Sequence, residues 1–125
     1  MRHPSILSLP GTATITVPLF VAESDGEIIS ADYVAQGATD GTKTAQIKNN
    51  TQNVNITAAL TISGLAALAK AAFVMASTNT PIRKGDVIVV IYTVTVAGSV
   101  GPGEAAIDCV FQEPVGQHFG PAWAG

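Results

Sequence analysis

The feature that most constrains the fold is a run of ten residues, 87–96 (VIVVIYTVTV), without a charged side chain. Most of its residues are β-branched or aromatic, and such residues fit a pleated strand better than a helix. The even-numbered positions, from Ile88 to Val96, are apolar throughout and are predicted to face the core. The odd-numbered positions are apolar only in the first half of the run, at Val87, Val89 and Ile91. We therefore expect that half to be covered on both faces, either by a loop of the same chain or by a second subunit.

Alternation of apolar and polar residues recurs along most of the chain. Residues 12–21 place apolar side chains at odd positions and three threonines between them, and residues 54–62 and 105–111 repeat the pattern. Weaker candidates for strands are residues 27–34, 43–48 and 71–77. Combinations of Gly, Pro, Asn and Asp that favour turns separate these segments. The pattern predicts an all-β chain that folds as an antiparallel β-sandwich of the jelly-roll kind.

One segment, residues 64–72 (GLAALAKAA), has a different composition. Its alanines, leucines and lysine are strong helix formers. The segment is interpreted either as a helical turn or irregular link that leads into a strand, or as the start of that strand.

The composition restricts the partners that the chain is expected to bind. Its 125 residues suffice for one domain with a core. Charged residues make up 12%, about half the usual share, and the formal net charge is −3. This balance offers no basic surface for nucleic acid and no polybasic patch for a membrane. The first apolar stretch alternates with threonines and contains prolines, which is typical of a strand rather than a secretion signal. The chain is therefore expected to be intracellular when it is synthesised.

The residue types that support catalysis or metal binding are few and scattered. The two histidines, His3 and His118, lie near opposite ends of the chain, and the single cysteine, Cys109, alternates with apolar residues as a core residue would. The glycine-rich segment 98–103 is not followed by the Lys and Ser/Thr that complete a phosphate-binding loop. We expect no catalytic residue, no metal and no cofactor, and hence a protein that is not an enzyme.

The two ends of the chain differ from its middle. Residues 1–11 contain two prolines and three apolar residues that have no obvious place in a regular ladder, and residues 114–125 are rich in Pro and Gly. Disordered tails usually avoid large apolar side chains. We therefore expect extended arms at residues 1–11 and 114–125 on either side of a β-sandwich domain at residues 12–113. The residues expected to contact another protein or subunit are Arg2, Ile6, Leu7, Leu9, Val87, Val89, Ile91, Phe119 and Trp123.

Residues 84–90 (KGDVIVV), 98–103 (GSVGPG) and 106–113 carry a resemblance to a known class of proteins. In this order and composition they resemble the capsid decoration, or cement, proteins of tailed bacteriophages, over residues 25–113. The resemblance implies a β-sandwich, often a trimer, that sits on the outer surface of the virion and binds the major capsid protein. The carboxy-terminal arm has no counterpart in the resemblance.

The sequence thus favours a non-enzymatic virion structural protein that stabilises a phage capsid by bridging its subunits. The alternative is a ligand-binding or carbohydrate-binding β-sandwich module of a phage fibre or of a secreted protein. Such modules usually display exposed aromatic side chains in a row. The aromatic residues that decide between the two are Phe20, Tyr33, Phe73, Tyr92 and Phe111.

Overall fold

The computed structural model describes residues 2–9, 13–76 and 81–113. In these ranges the chain contains β-strands joined by turns and irregular segments, and no helix. In chain order the strands are β1 (Arg2–Leu9), β2 (Ile15–Val21), β3 (Glu27–Ala35), β4 (Thr42–Asn49), β5 (Val54–Asn55), β6 (Leu60–Thr61), β7 (Ala71–Ala72), β8 (Val87–Val96) and β9 (Gly103–Gln112).

The strands form two antiparallel sheets that pack against each other, which confirms the predicted β-sandwich. The order is β1-β9-β3-β7 in the first sheet, here called sheet A. It is β2-β8-β4-β5 in the second, sheet B, where β6 also pairs with β4. At the centre of sheet B, Val90 lies between its cross-strand partners Val17 and Ile47. Val90 is only 1% exposed, so the predicted inward face of the long apolar run lines the core.

The last long strand, β9, supplies the inner layer of sheet A. Ala105, Ile107, Cys109 and Phe111 are all buried, as alternation predicts. Burial, with a contribution from the adjacent carboxylate of Asp108, raises the pKa of the Cys109 thiol to about 12. The thiol therefore stays protonated at neutral pH and behaves as a small core residue.

Two strands depart from simple alternation at their ends. In β2 the pairing register shifts between Pro18 and Phe20, and Val21, which was predicted to face inward, is exposed. A bulge of this kind adds a residue and changes the face on which the following side chains lie. In β8 the core face ends at Val94, which is half-buried and packs against the core, whereas Val96, which was predicted to face the core, is 54% exposed.

The predicted single strand over residues 54–62 is divided into β5 and β6, with an irregular link between them. Thr57, predicted to face solvent, is buried because its hydroxyl accepts a hydrogen bond from Ile47 N–H at 3.1 Å and donates one to the carbonyl of Ala58 at 2.9 Å. A local polar partner thus overrides alternation. Residues 64–70 form turns rather than a helix and lead into β7, as the irregular-link interpretation predicts.

The amino-terminal segment is part of the sandwich. Residues 2–9 form β1, which pairs with β9 along its whole length, from Arg2 opposite Val110 to Leu9 opposite Gly103. Leu7 and Leu9 are buried in the core. The expectation that this segment has no place in a ladder is therefore wrong. Pro4 is accommodated because β1 is an edge strand, where proline costs no inter-strand bond if its nitrogen faces outward. Residues 114–125 lie outside the described part of the chain.

The two lateral sides of the sandwich differ. On one side, residues 71–76 cross between the sheets: Phe73 N–H donates to the carbonyl of Ala31 in sheet A, and Ala76 N–H donates to the carbonyl of Ile56 beside sheet B, both at 2.9 Å. On the other side the edge strands β1 and β2 are joined by the bond from Ser5 Oγ to the carbonyl of Leu19, at 3.2 Å. One side is thus closed by backbone bonds, whereas the other presents two strand edges.

Candidate interaction surfaces

The outer face of sheet A carries an apolar row that crosses three strands. Ile6 of β1 lies opposite Ala106 of β9, and Ala106 lies opposite Val34 of β3. Ile6 is 78% exposed, Ala106 is exposed and Val34 is half-buried. We call these three residues the apolar row. Because the side chains on one sheet face lie side by side, they form a continuous apolar strip rather than isolated contacts.

Charged side chains next to the apolar row are arranged as two ion pairs. Asp108 and Asp32 lie directly opposite each other on β9 and β3, where two like charges would repel. Each has a basic partner, since Arg2 Nη1 donates to Asp108 Oδ2 and Lys70 Nζ lies 3.8 Å from Asp32 Oδ2. The Oδ1 atom of Asp108 is buried and has no hydrogen-bond partner. Pairing leaves this part of the face close to neutral overall.

The outer face of sheet B is covered differently. Val89 is only 4% exposed, and its cross-strand neighbours on the same face are Pro18 and Lys48. Its neighbours along the strand, Val87 and Ile91, are half-buried. The predicted cover on the second face of this half-strand is therefore found for Val89, whereas Val87 and Ile91 are covered only in part. Since Val89 is buried within a single chain, its cover requires no second subunit.

A buried lysine lies at one end of the sandwich. Lys43, on β4, has no solvent-exposed surface. Its Nζ donates to Thr39 Oγ1 at 2.7 Å and to the carbonyl of Val100 at 2.8 Å, and lies 3.8 Å from Asp40 Oδ1. A buried cation is expensive unless it is paired and hydrogen-bonded. These contacts connect β4 to the glycine-rich loop between β8 and β9.

The carboxylate of Asp40 holds the same glycine-rich loop from outside. Its oxygens accept hydrogen bonds from the N–H groups of Ser99 and Val100 at 2.9–3.0 Å, and from the Ser99 hydroxyl at 2.8 Å. These donors, with Val100 N–H the largest contribution, hold the pKa of Asp40 well below its ordinary range. Gly98 has a φ of +67° and its missing side chain leaves the space that Asp40 occupies. The loop is thus structural rather than a phosphate-binding loop.

A buried carboxylate, Asp86, lies at the opposite end of sheet B. Its Oδ2 accepts hydrogen bonds from Asn49 Nδ2 at 2.8 Å, Gln52 Nε2 at 2.6 Å and Arg83 N–H at 2.9 Å. Burial acts to raise the pKa of Asp86, but these hydrogen bonds and the charge of Arg83 outweigh it and leave the pKa below its ordinary value. All of its donors come from the protein itself, so the cluster is satisfied without a ligand.

A groove of about 230 Å³ opens near the same end, between β3 of sheet A and β5 of sheet B. Its lining is mainly apolar and includes three polar residues, Glu27, Asn49 and Asn55. It is smaller than the pockets that bind drug-sized molecules, and has room for one large side chain. The lining residues are Glu27, Ile28, Ile29, Asn49, Val54, Asn55, Ile56, Met75, Ala76 and Ile82.

The structure separates the residues that were predicted to make contacts. Arg2 and Ile6 lie on the outer face of sheet A, whereas Leu7 and Leu9 belong to the core and are not free to contact a partner. Phe119 and Trp123 lie outside the described residues. Sequence reasoning missed Lys43, although it occupies the inward position of an alternating series with Ala45 and Ile47.

Neither a metal-binding cluster nor a membrane-spanning helix is found in residues 2–9, 13–76 and 81–113. Within these ranges no group of three or more His, Cys, Asp or Glu side chains is arranged to hold a metal ion. The same ranges contain no helix with the length and apolar character needed to span a membrane.

Comparison with known proteins gives little further information. No family model matches the sequence, and no curated protein matches it. Among solved structures, one similar chain belongs to a structure of infectious bursal disease virus, Gx strain, with a TM-score of 0.37 and 14% sequence identity. The match covers 88% of this chain but only 29% of the viral chain. A similarity at this level supports no argument about fold or function.

Proposed function

We propose that this chain is a non-enzymatic virion structural protein that decorates the outer surface of a tailed-phage capsid and bridges its subunits. The observation that carries the proposal is the outer face of sheet A. There the apolar row lies beside two ion pairs, Arg2–Asp108 and Lys70–Asp32, each of which is neutral by itself. Exposed apolar surface of this kind is typical of contact sites between proteins. The resemblance of residues 25–113 to capsid decoration proteins supports the same class.

The mode of attachment differs from the one that the sequence favours. Because residues 2–9 are paired in sheet A, they are not free to reach the capsid as an extended arm. We propose instead that the apolar row meets the major capsid protein directly. A small contact of this kind is weak in isolation. Many copies on a symmetric lattice, or several sites joined in one oligomer, raise its effective strength by avidity.

Self-association belongs to the same proposal. A trimer would present three copies of the outer face of sheet A in one orientation, which suits a symmetry axis of a capsid. Light scattering above micromolar concentration is expected to give the mass of a trimer. A dimer would refute the trimer, and a monomer would refute self-association altogether.

A carbohydrate-binding module is the less favoured function. Such modules stack sugars on exposed aromatic rings, but Tyr33, Phe73, Tyr92 and Phe111 are buried in this sandwich. The remaining aromatic ring on a strand, Phe20, is half-buried and stacks on His3 with a centroid distance of 4.0 Å. Within the described residues, the aromatic side chains therefore stabilise the core rather than form a sugar-binding row.

The test is co-sedimentation with phage heads that lack the protein. Wild-type chain is expected to sediment with the heads, and Ile6→Asp and Ala106→Asp should each weaken binding by at least about tenfold, because an unpaired charge would be buried at the contact. The matched control is Thr16→Asp, an exposed position on the edge strand of sheet B. This variant should bind like wild type.

The possible outcomes distinguish failure of the decoration function from a wrong assignment of the contact surface. Failure of the wild-type chain to sediment with the heads would refute the decoration function. Binding of Ile6→Asp and Ala106→Asp at wild-type strength would move the contact to another surface. Equal loss of binding in all three variants would show that sheet A is not specifically involved.

A further inference from the structure

One side of the sandwich is closed by backbone bonds, but a gap remains there along β3. Before the gap, Gly26 N–H donates to the carbonyl of Ile82 at 2.8 Å, and the Gly26 carbonyl accepts from Ile82 N–H at 2.7 Å. After it, the carbonyl of Ala31 accepts from Phe73 N–H at 2.9 Å, and β7 pairs with β3 only beyond this point. In the described part of the chain, no strand therefore pairs with residues 27–30 on this side of β3.

The backbone of Ile28 faces this gap. In an antiparallel strand, the N–H and carbonyl groups of alternate residues point to the same side. Because Gly26 directs both of its groups to Ile82, those of Ile28 point to that side as well. Ile28 is only 6% exposed, and among the residues that the structure describes, neither backbone group has a hydrogen-bond partner on that side. Buried backbone groups are nearly always paired, so this position favours the addition of a strand.

The groove of about 230 Å³ adjoins the gap, because Ile28 and Ile29 lie in the gap and also line the groove. Ile29 occupies the register shift between Ile28 and Ser30 and is 46% exposed. A bulge of this kind redirects a side chain out of the regular alternation. Val54 and Met75 line the groove as well, and a thioether beside branched aliphatic side chains favours an aromatic partner. The groove therefore suits one aromatic side chain of a strand that lies in the gap.

The charge of the groove indicates which residues suit the positions next to that aromatic side chain. Glu27 is the one ionisable residue among the described residues that line the groove. The other polar lining residues, Asn49 and Asn55, are uncharged. A partner that carries a lysine or an arginine near its aromatic residue therefore complements the groove in charge.

We infer that the gap and the groove together bind an extended peptide segment of another protein. Its backbone pairs with β3 at Ile28, its aromatic side chain enters the groove, and a basic residue lies near Glu27. In strand addition of this kind, main-chain hydrogen bonds supply affinity and a pocket for a side chain supplies specificity. The site is separate from the outer face of sheet A and does not depend on the proposed function.

The test titrates the full chain with the peptide acetyl-Thr-Lys-Val-Phe-Val-Lys-Thr-amide and follows the backbone amide of Ile28 by NMR. The peptide should shift this signal and slow its hydrogen exchange. Replacement of the peptide's Phe by Ser should weaken binding at least about tenfold, because the groove then receives no apolar side chain. A paired strand uses one edge, so of two peptides N-methylated at odd or at even positions, one should lose binding and the other keep it.

Variants of the chain test the charge and the groove. Glu27→Lys should bind the peptide at least about fivefold more weakly, and should prefer a peptide with Glu in place of both Lys residues. Ile29→Lys should also weaken binding, since it replaces an apolar lining residue by a charge of the same sign as the peptide. Val96→Lys is the matched control, because Val96 is 54% exposed at the other end of the sandwich. Circular dichroism checks that each variant is folded.

Four results would overturn the inference. The peptide leaves the Ile28 amide unchanged at millimolar concentration, or both N-methylated peptides bind equally well. Folded Glu27→Lys keeps the wild-type preference for the basic peptide. The Ile28 amide is already protected from exchange in the isolated chain: protection that is independent of protein concentration would show pairing within the chain, and protection lost on dilution would show pairing with a second copy. None of these measurements involves a capsid, so failure here is distinguishable from failure of the decoration function.

Discussion

The Nζ atom of Lys43 lies 2.8 Å from the carbonyl oxygen of Val100, in a position from which solvent is excluded. A lysine buried in this way loses its hydration, at a cost of several kcal/mol, and recovers part of it through its hydrogen bonds. This contact holds the glycine-rich loop against β4. We therefore expect the lysine to order the loop.

Replacement of Lys43 by methionine should test this role. Lys43→Met keeps most of the buried volume but removes the donors to Thr39 and Val100, and we expect the free energy of unfolding to fall by about 1–3 kcal/mol. Amide hydrogen exchange in residues 97–102 should become faster. Lys48→Met, on the outer face of the same strand, should change neither quantity. An unchanged exchange rate in the loop of Lys43→Met would contradict the role.

Asp40 should make the stability of the same loop depend on pH. Since hydrogen bonds hold its folded-state pKa below the ordinary value of 3.8, its ionised form stabilises the folded chain above that pH. The contribution is lost as the pH falls from 3.8 toward the lower folded-state value. The difference in unfolding free energy between wild type and Asp40→Asn should therefore be present at neutral pH and shrink in acid. Glu23→Gln, at an exposed turn, is the control; a pH-independent difference for Asp40→Asn would contradict the mechanism.

Val90 should tolerate no charge. It is 1% exposed between Val17 and Ile47, so Val90→Asp would bury an unpaired carboxylate and cost more than about 4 kcal/mol, enough to unfold a marginally stable domain. Thr95→Asp, an exposed position on the same strand, should remain folded. Circular dichroism and thermal melting check both variants. A soluble, cooperatively melting Val90→Asp would show that the inward face is wrongly assigned.

Adjacent residues of β1 should respond in opposite ways. Leu7 is 6% exposed, and Leu7→Ala should reduce the free energy of unfolding by about 2–5 kcal/mol through lost burial and a cavity. Ile6→Ala, one residue away and on the outer face, should cost less than about 0.5 kcal/mol. Denaturant titration measures both. If neither substitution changes stability, residues 2–9 do not form part of the folded core.

Alternation was sufficient to predict the β-sandwich and most of the inner layer, including the bounds of β8. Alternation did not predict the structure of segments whose conformation depends on their position in the sheet. From the sequence alone, the prolines of the amino-terminal segment favour an extended arm. An edge strand nevertheless accepts Pro4, and only the tertiary fold determines which strand lies at an edge.

The candidate surfaces were harder to predict from the sequence, because they too depend on tertiary contacts. Lys43 and Thr57 can be buried because folding brings a carbonyl or an N–H within hydrogen-bonding distance of their polar side chains. Local sequence patterns do not predict such a partner, because it comes from another part of the chain. The exposed position of Ile6 could have been found from its alternation with Leu7 and Leu9. The prolines on either side of these residues favour an arm and so conflict with that signal.

The prolines on the two open edges have a consequence for how the protein behaves in bulk. Pro4 in β1 and Pro18 in β2 offer no N–H to an incoming strand, so each interrupts the row of donors that a second copy would need to extend the sheet. Runaway polymerisation into fibres is thereby disfavoured, even when the chain accumulates to high concentration in a cell. Copies of the molecule can then meet through their sheet faces, and contacts of that kind lead to assemblies of limited size.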